Sequence, residues 1–341
     1  MVDGIPYLRT GRATLVAEAL SALDAGDKDA ALVLLLVDQD DWWTGPMPDE
    51  ADLRKMVRER GHLTLREAMA LLAWGPVADY FAYRWVDPTF LAGLALLEAH
   101  WREPATSFEL ACGIGHYARE LTRRGVKCLG ADVVFAKCWL AKHWVAPEAE
   151  FACFDAADTW PVAGQEFDLV HCQDAFYFFP EQERVAARLR EAVAPGGVLA
   201  VGHLHNSEYR EGAKGPARSV DDWSKLFPSA AVYDERHLLW CLLKKLIPED
   251  EGWCDDPGIE AWSIAESDHK PGRLEAGLTV PPSETTLQSN PLLRDGVISW
   301  PSERWREEYG AACWWAHPKG ILGFKFDPIR TRRLVDLPER W

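Results

Sequence analysis

From Pro104 onward, short runs of β-forming residues alternate with helical runs, and no other feature constrains the fold of this chain as strongly. The β-like runs are Thr106 to Ala111, Lys127 to Ala131, Phe151 to Phe154, Phe167 to Cys172 and Val198 to Val201. Between them, His116 to Arg124, Phe135 to Trp144 and Glu181 to Val193 read as helices. Strands separated by helices imply βαβ units and a mainly parallel sheet. Such crossovers are right-handed in nearly all cases, which puts helices on both faces. The expected fold is α/β and doubly wound.

The flanks read differently. Residues 1 to about 102 look helical throughout, with no strand signal. Leu15, Ala19, Leu20 and Leu23 recur at helical spacing, and a second apolar run follows from Ala30 to Val37. Asp49, Glu50 and Asp52 place acids in a first turn, where the helix dipole favours them. Thr64 and Glu67 fit a capping box opening Leu65 to Trp74. Asp87-Pro88 looks like an N-cap followed by proline at N1, starting a helix to about Trp101. After His205, Val220 to Phe227 (with Ser219 as N-cap) and Arg236 to Leu246 read as helices, and Ala231 to Asp234 as extended. Residues 247 to about 300 are rich in Pro, Gly, Asp and Ser, with one candidate strand at Ala261 to Ala265, and Ile321 to Phe326 fits a final strand. This reading divides the chain into a helical N-terminal domain or lid (1–102), an α/β core (103–246 with 318–330) and an insertion (247–317) that walls a substrate pocket.

Composition narrows the partners. With 48% apolar and 26% charged residues the chain has the balance of a folded protein rather than a disordered one. Its net charge of −16 argues against a sequence-independent grip on nucleic acid or anionic membrane. Arg330, Arg332 and Arg333 form a small basic run that reads as a solvated tail. The longest apolar stretch, Ala30 to Val37, is too short to span a bilayer, and the opening residues lack the basic and apolar regions of a secretory signal. The eight cysteines include no Cys-x-x-Cys pair, so neither a zinc knuckle nor a redox motif is visible. A cytoplasmic protein with a small-molecule substrate is expected; the oligomeric state is not legible.

The strongest chemical signal is Phe108-Glu109-Leu110-Ala111-Cys112-Gly113-Ile114-Gly115-His116, a strand, a glycine turn and a helix start. Gly113 and Gly115 lack a Cβ, so the backbone can turn sharply and a ligand can approach it. The helix N-terminus that follows offers unpaired amide donors. Asp132, ending the next strand, can accept from two ribose hydroxyls. Gly113-x-Gly115-x-x-Ala118 also satisfies a dinucleotide pattern, so NAD(P)-dependent oxidoreduction is an alternative. Three features favour a different ligand. Glu109 would repel a pyrophosphate but welcome an ammonium group. Asp155 ends the third strand, where it can accept from an adenine amine. The fourth strand ends in Gln173-Asp174-Ala175-Phe176-Tyr177, and Ala194-Pro195-Gly196-Gly197 turns into the fifth.

Taken together, Thr106 to Asn206 resembles a class I S-adenosylmethionine-dependent methyltransferase. Glu109, Gly113 and Gly115 resemble that family's first motif, Asp132 its ribose-binding acid, and Asp155 with Ala156 its adenine-contacting step. Cys112, Val133 and Gln173 complete the cofactor contacts the resemblance implies. His116 stands where a third glycine is frequent. The resemblance further implies a Rossmann-like, seven-stranded sheet whose last pair includes one antiparallel strand, S-adenosyl-L-methionine as cofactor, and methyl transfer to an oxygen or nitrogen of a small molecule. A non-catalytic module that binds the same cofactor is a further alternative.

Methyl transfer from a sulfonium is an in-line displacement, so positioning supplies most of the catalysis. A base is needed only for a hydroxyl or protonated amine. His205 at the end of the fifth strand is the first candidate, His203 the second, and Asp174 the third; a working His205 of ordinary pKa would give a rate limb near pH 6–7. His171 reads as a packed histidine. No metal is expected, because His203 and His205 share a face but lack a third ligand. The seventeen tryptophans, Trp42-Trp43 and Trp314-Trp315 among them, supply buried area or a pocket wall.

Overall fold

The computed structural model describes residues 1–282, 285–295, 297–313 and 332–341. A seven-stranded sheet organises it: β1 (Thr106–Leu110), β2 (Lys127–Asp132), β3 (Glu150–Cys153), β4 (Phe167–Gln173), β5 (Val193–His205), β6 (Ala231–Asp234) and β7 (Ala261–Glu266). Their spatial order is β3-β2-β1-β4-β5-β7-β6. β1 to β5 pair in parallel, and β7 runs antiparallel to both its neighbours. The antiparallel strand that the resemblance implies is therefore Ala261–Glu266, inside the segment 247–317 assigned to an insertion. The candidate strand at Ala261 to Ala265 is thus present and buried throughout, but it belongs to the main sheet rather than to an insertion. Ile321 to Phe326 and Trp314-Trp315 lie outside the described residues.

The described helices are α1 (Ala13–Asp24), α2 (Lys28–Val37), α3 (Glu50–Glu59), α4 (Leu65–Leu71), α5 (Pro76–Tyr83), α6 (Pro88–Ala99), α7 (His116–Thr122), α8 (Phe135–Leu140), α9 (Gln182–Glu191), α10 (Val220–Leu226), α11 (Glu235–Lys244) and α12 (Glu303–Tyr309). The caps read from sequence are present. Thr64 and Glu67 form the reciprocal capping box of α4, Asp87 accepts from Phe90 N ahead of Pro88, and Ser219 caps α10.

Alternation along the strands splits the interior in two. Phe108, Val170, Cys172, Leu199 and Val201 face one cluster, and Leu169, Val198 and Ala200 face the other, beneath α6, α7, α8 and the N-terminal helices. Helix α6 is buried at every position from Pro88 to Leu97. A helix apolar on all sides is a core helix, and α6 packs on β5, β7 and α11. Although it precedes β1 in the chain, it belongs to the sheet's helical layer.

Two terminal segments tie the flanks down. Before α1 the chain runs parallel beside β3, with Leu8 N donating to Cys153 O at 2.7 Å and Cys153 N to Pro6 O at 2.8 Å. This covers a sheet edge, in a region where the sequence shows no strand signal. At the other end Leu65 N donates to Arg340 O at 2.6 Å, and Trp341 Nε1 to Ala82 O at 2.7 Å. No described helix is long and apolar enough to cross a membrane.

Candidate functional site

The strand ends β1 to β5 hold two adjoining groups of residues. The first surrounds the glycine turn. After β1 the backbone enters the left-handed region at Ala111 (φ 59°), Gly113 (φ 54°) and Gly115 (φ 81°). Glycine takes this conformation freely, whereas alanine is strained there. The turn presents Gly113 N to Asp132 Oδ2 at 3.0 Å, while Asp132 Oδ1 accepts from Val134 N at 3.0 Å and lies 3.2 Å from Lys137 Nζ. Beneath the turn Glu109 is buried, and its Oε2 has no hydrogen-bond partner among the described residues. Burial, and then the Asp132 charge, push the Glu109 carboxyl well above its ordinary range.

The structure thus brings Glu109, Gly113, Gly115 and Asp132 together, with Val133 beside them. Asp155 follows the neighbouring strand β3, half-buried, its Oδ1 accepting from Ala157 N at 2.9 Å. The side chains of Cys112, Ala156 and Gln173 turn into the interior. A Cβ on Gly130 would lie 2.9 Å from Cys112 Sγ. Ala156 is packed in the second cluster. The Gln173 amide sits between Gly93 of α6 and Gly202 of β5, with neither polar atom paired among the described residues. Any contact from Cys112 or Ala156 to a ligand would come from backbone. His171 is fully buried, as expected for a packed histidine.

Helix α5 roofs the turn. A Cβ on Gly113 would lie 3.0 Å from Phe81 Cε1. His116 Nε2 donates to Phe81 O at 3.0 Å, and its ring lies parallel to Phe81. The residue that replaces the family's third glycine therefore fastens the N-terminal helices to the motif.

The second group centres on Asp174, which sits in the left-handed region at φ 54° just past β4. Its Oδ2 accepts from Tyr80 at 2.7 Å and pairs with Arg84 Nη1 at 2.9 Å; its Oδ1 accepts from Tyr177 at 2.7 Å. Burial works to raise the Asp174 carboxyl, but Arg84, His203 and the two hydroxyls outweigh it and hold it below its ordinary range. Three donors thus hold Asp174 and favour its ionised form. Arg84 also holds Asp87 at 3.0 Å.

His203, in the left-handed region at φ 62°, stands at a bulge where β5 gains a residue on β7 between Val201 and Leu204. Bulges re-aim side chains, and strained backbone gathers at functional sites. Its Nδ1 donates to Glu235 Oε2 at 2.7 Å. Burial opposes its charge, but Glu235 and Asp174 outweigh that and lift the ring to about 9. His205 is buried against Tyr177 and His203, with ring centroids 4.5 Å from each. Burial, then the His203 charge, push it down to about 3. The His205 ring is thus shifted far below the ordinary value anticipated from sequence. Among the described residues no group of His, Cys, Asp and Glu is placed to hold a metal.

Sequence reasoning missed Tyr80, Phe81, Arg84 and Glu235. One signal was present: Arg84 and Asp87 are the only charges in Tyr80 to Leu97 and stand three apart, the spacing of a buried pair.

Residues 108–201 match the family model described as a methyltransferase domain. With the strand order above, this decides the family of the core. It is a class I S-adenosylmethionine-dependent methyltransferase domain. The methyltransferase domain is similar to curated trans-aconitate 2-methyltransferases. That of Variovorax paradoxus is 35% identical over 140 residues, covering 40% of this chain and 52% of the relative. That of Deinococcus radiodurans is 32% identical over 100 residues, covering 29% and 38%. The chain spans about half or less of the length of these relatives. Solved structures similar to it include a TehB-like S-adenosylmethionine-dependent methyltransferase from Corynebacterium glutamicum (18% identity, 51% of this chain, 85% of that one, TM-score 0.38). Another is the plantazolicin methyltransferase BamL in complex with a triazolic desmethylPZN analogue and S-adenosylhomocysteine (13% identity, 63% and 95%, TM-score 0.42).

Proposed function

We propose that this chain transfers a methyl group from S-adenosylmethionine to a small molecule, and that the accepting atom is an oxygen that arrives already ionised, as in a carboxylate. The observation that carries the first part is the convergence of the glycine turn, Asp132 and the orphaned Glu109 oxygen at one strand end. These residues fit the cofactor: Asp132 would hold the ribose, Asp155 the adenine and Glu109 the ammonium group. The bound cofactor would supply an activated methyl on sulfur. An ammonium group beside Glu109 would favour its ionised form, which a pyrophosphate would oppose, and this disfavours the oxidoreductase reading.

The proton inventory supports the second part. Asp174 is held below its ordinary range by three donors, His203 is lifted to about 9 and His205 is pushed down to about 3, so each of these groups disfavours taking up a proton from an acceptor near pH 7. A hydroxyl acceptor would lack its base, whereas a carboxylate needs none. The curated relatives are named for trans-aconitate, itself a carboxylate. In this reading His203 orients the acceptor, Arg84 holds Asp174 from behind and the roof of α5 excludes water. Of the three catalytic candidates, His203 is retained as a cation rather than a base, and Asp174 as the anchor for Arg84, Tyr80 and Tyr177.

Calorimetry should show binding of S-adenosylmethionine and S-adenosylhomocysteine but not NAD(P). Asp132→Ala should weaken it roughly 10- to 100-fold, since charge-assisted hydrogen bonds are worth about 1.5–3 kcal/mol each. Turnover is then sought on carboxylates, phenols and amines. NAD(P) binding without adenosylmethionine binding would return the oxidoreductase; binding without turnover on any acceptor would return the cofactor-binding module.

A further inference from the structure

Glu235 stands at the first turn of α11, far from the methyltransferase motifs in sequence, yet it is buried against the end of β5. Both its oxygens are committed. Oε2 accepts from His203 Nδ1 at 2.7 Å, and Oε1 accepts from Ser263 Oγ of β7 at 2.8 Å. Ser263 is itself fully buried. With Nδ1 held from behind, the opposite ring nitrogen, Nε2, looks toward Asp174, whose Oδ1 is 3.8 Å away and beyond hydrogen-bond reach.

We propose that Glu235, oriented by Ser263, is a positioning residue that fixes the His203 ring so that its Nε2–H serves as a charged donor to the acceptor's oxygen. This rests on the reading that the site methylates an anionic acceptor. A donor already in place at the reacting atoms costs no reorganisation when the acceptor arrives. The bulge at Gly202-His203 supports the assignment, because without the extra residue the ring would follow the alternation of β5 instead of meeting α11.

The groups facing His203 come from every neighbouring element. They are Glu235 on α11, Asp174 past β4, Tyr177 in the turn after it, His205 on β5 and Glu260 ahead of β7, with Arg84 behind Asp174. The three carboxylates favour the protonated ring, which keeps its charge through pH 8. A buried glutamate could instead serve only to tie α11 to β5, and pH separates the two roles.

The test uses the full chain loaded with S-adenosylhomocysteine. Histidine-labelled protein is titrated by NMR, and trans-aconitate as the carboxylate probe is titrated by calorimetry at pH 6 and pH 8. In Glu235→Gln the His203 midpoint should fall by about 2 pH units toward the ordinary value. The probe should bind at least tenfold more weakly than to wild type at pH 8 but near normally at pH 6, where the ring charges unaided. S-adenosylhomocysteine affinity should not change. Glu235→Asp should restore part of the shift, and Ser263→Ala, which keeps the pair, should move the midpoint less and provides a readout if Glu235→Gln does not fold. An unmoved His203 midpoint in Glu235→Gln would overturn the proposal, as would equal loss of probe binding at both pH values. If the wild type binds no carboxylate probe while the midpoint still shifts, the carboxylate reading fails and the donor role fails with it, but the Glu235–His203 linkage stands.

Discussion

Glu109 brings an unpaired carboxyl oxygen into the interior beside the Asp132 charge, and both favour its protonated form. An ammonium group arriving beside it reverses the balance, because a nearby cation favours the ionised form. Binding of S-adenosylmethionine should therefore release a proton. Calorimetry in buffers of different ionisation enthalpy should detect that release in the wild type and not in Glu109→Gln, and affinity should rise with pH only in the wild type. Equal proton release in both would place the ammonium group elsewhere. Residue types at strand ends were legible in sequence, since Glu109, Gly113 and Gly115 share one short motif and Asp132 ends the next strand. Their protonation was not. His203 and His205 differ by two positions, yet one gains Glu235 from α11 and the other is buried beside the His203 charge, so their pKa values move in opposite directions.

At the scale of elements, sequence gave the order and type of β1 to β6 because strands and helices alternate there with clean caps. It located β7 but left it in an insertion because its flanks carry loop composition, and it set α6 apart from the sheet because chain order says nothing of layers. The burial of α6 makes a definite expectation. A chain starting near Trp101 would lose this helix and expose the sheet face it covers; burial of a single leucine in such a place is worth about 2–5 kcal/mol. Such a chain should show no cooperative unfolding by circular dichroism. A folded, cofactor-binding product would mean that α6 is a detachable lid. Phe81, Arg84 and Tyr80 could not be placed from the sequence for the same reason: α5 meets the motif only once α6 has packed.

For the whole molecule, the buried histidines set the response to acid. His116, His171 and His205 are pushed down to about 3 and His100 to about 4, by burial first in each case. Their folded values lie below the unfolded one, so the unfolded chain takes up protons first as pH falls below about 6.5, and each costs about 1.4 kcal/mol per pH unit. Asp87, raised to about 6 by burial, and Glu109 act in the opposite sense and recover part of the loss. His203 is raised, so its stabilisation is complete below about 6.5 and disappears as pH rises through about 9. The calorimetric midpoint should therefore peak near pH 6–7 and decline on both sides; a flat profile from pH 5 to 6.5 would contradict the buried neutral rings.

Synthesis imposes a schedule on the same architecture. Trp341 closes on Ala82 across 259 residues, so at about 5–20 residues per second α5 waits roughly 13–52 s for that partner to be made. Every strand of the sheet has emerged before then. The roof over the glycine turn is the earliest part of the site to be translated, and while its ties to His116 and Asp174 can form with the sheet, a ribosome carrying this chain holds a finished sheet beneath a cover still missing its bond to Trp341.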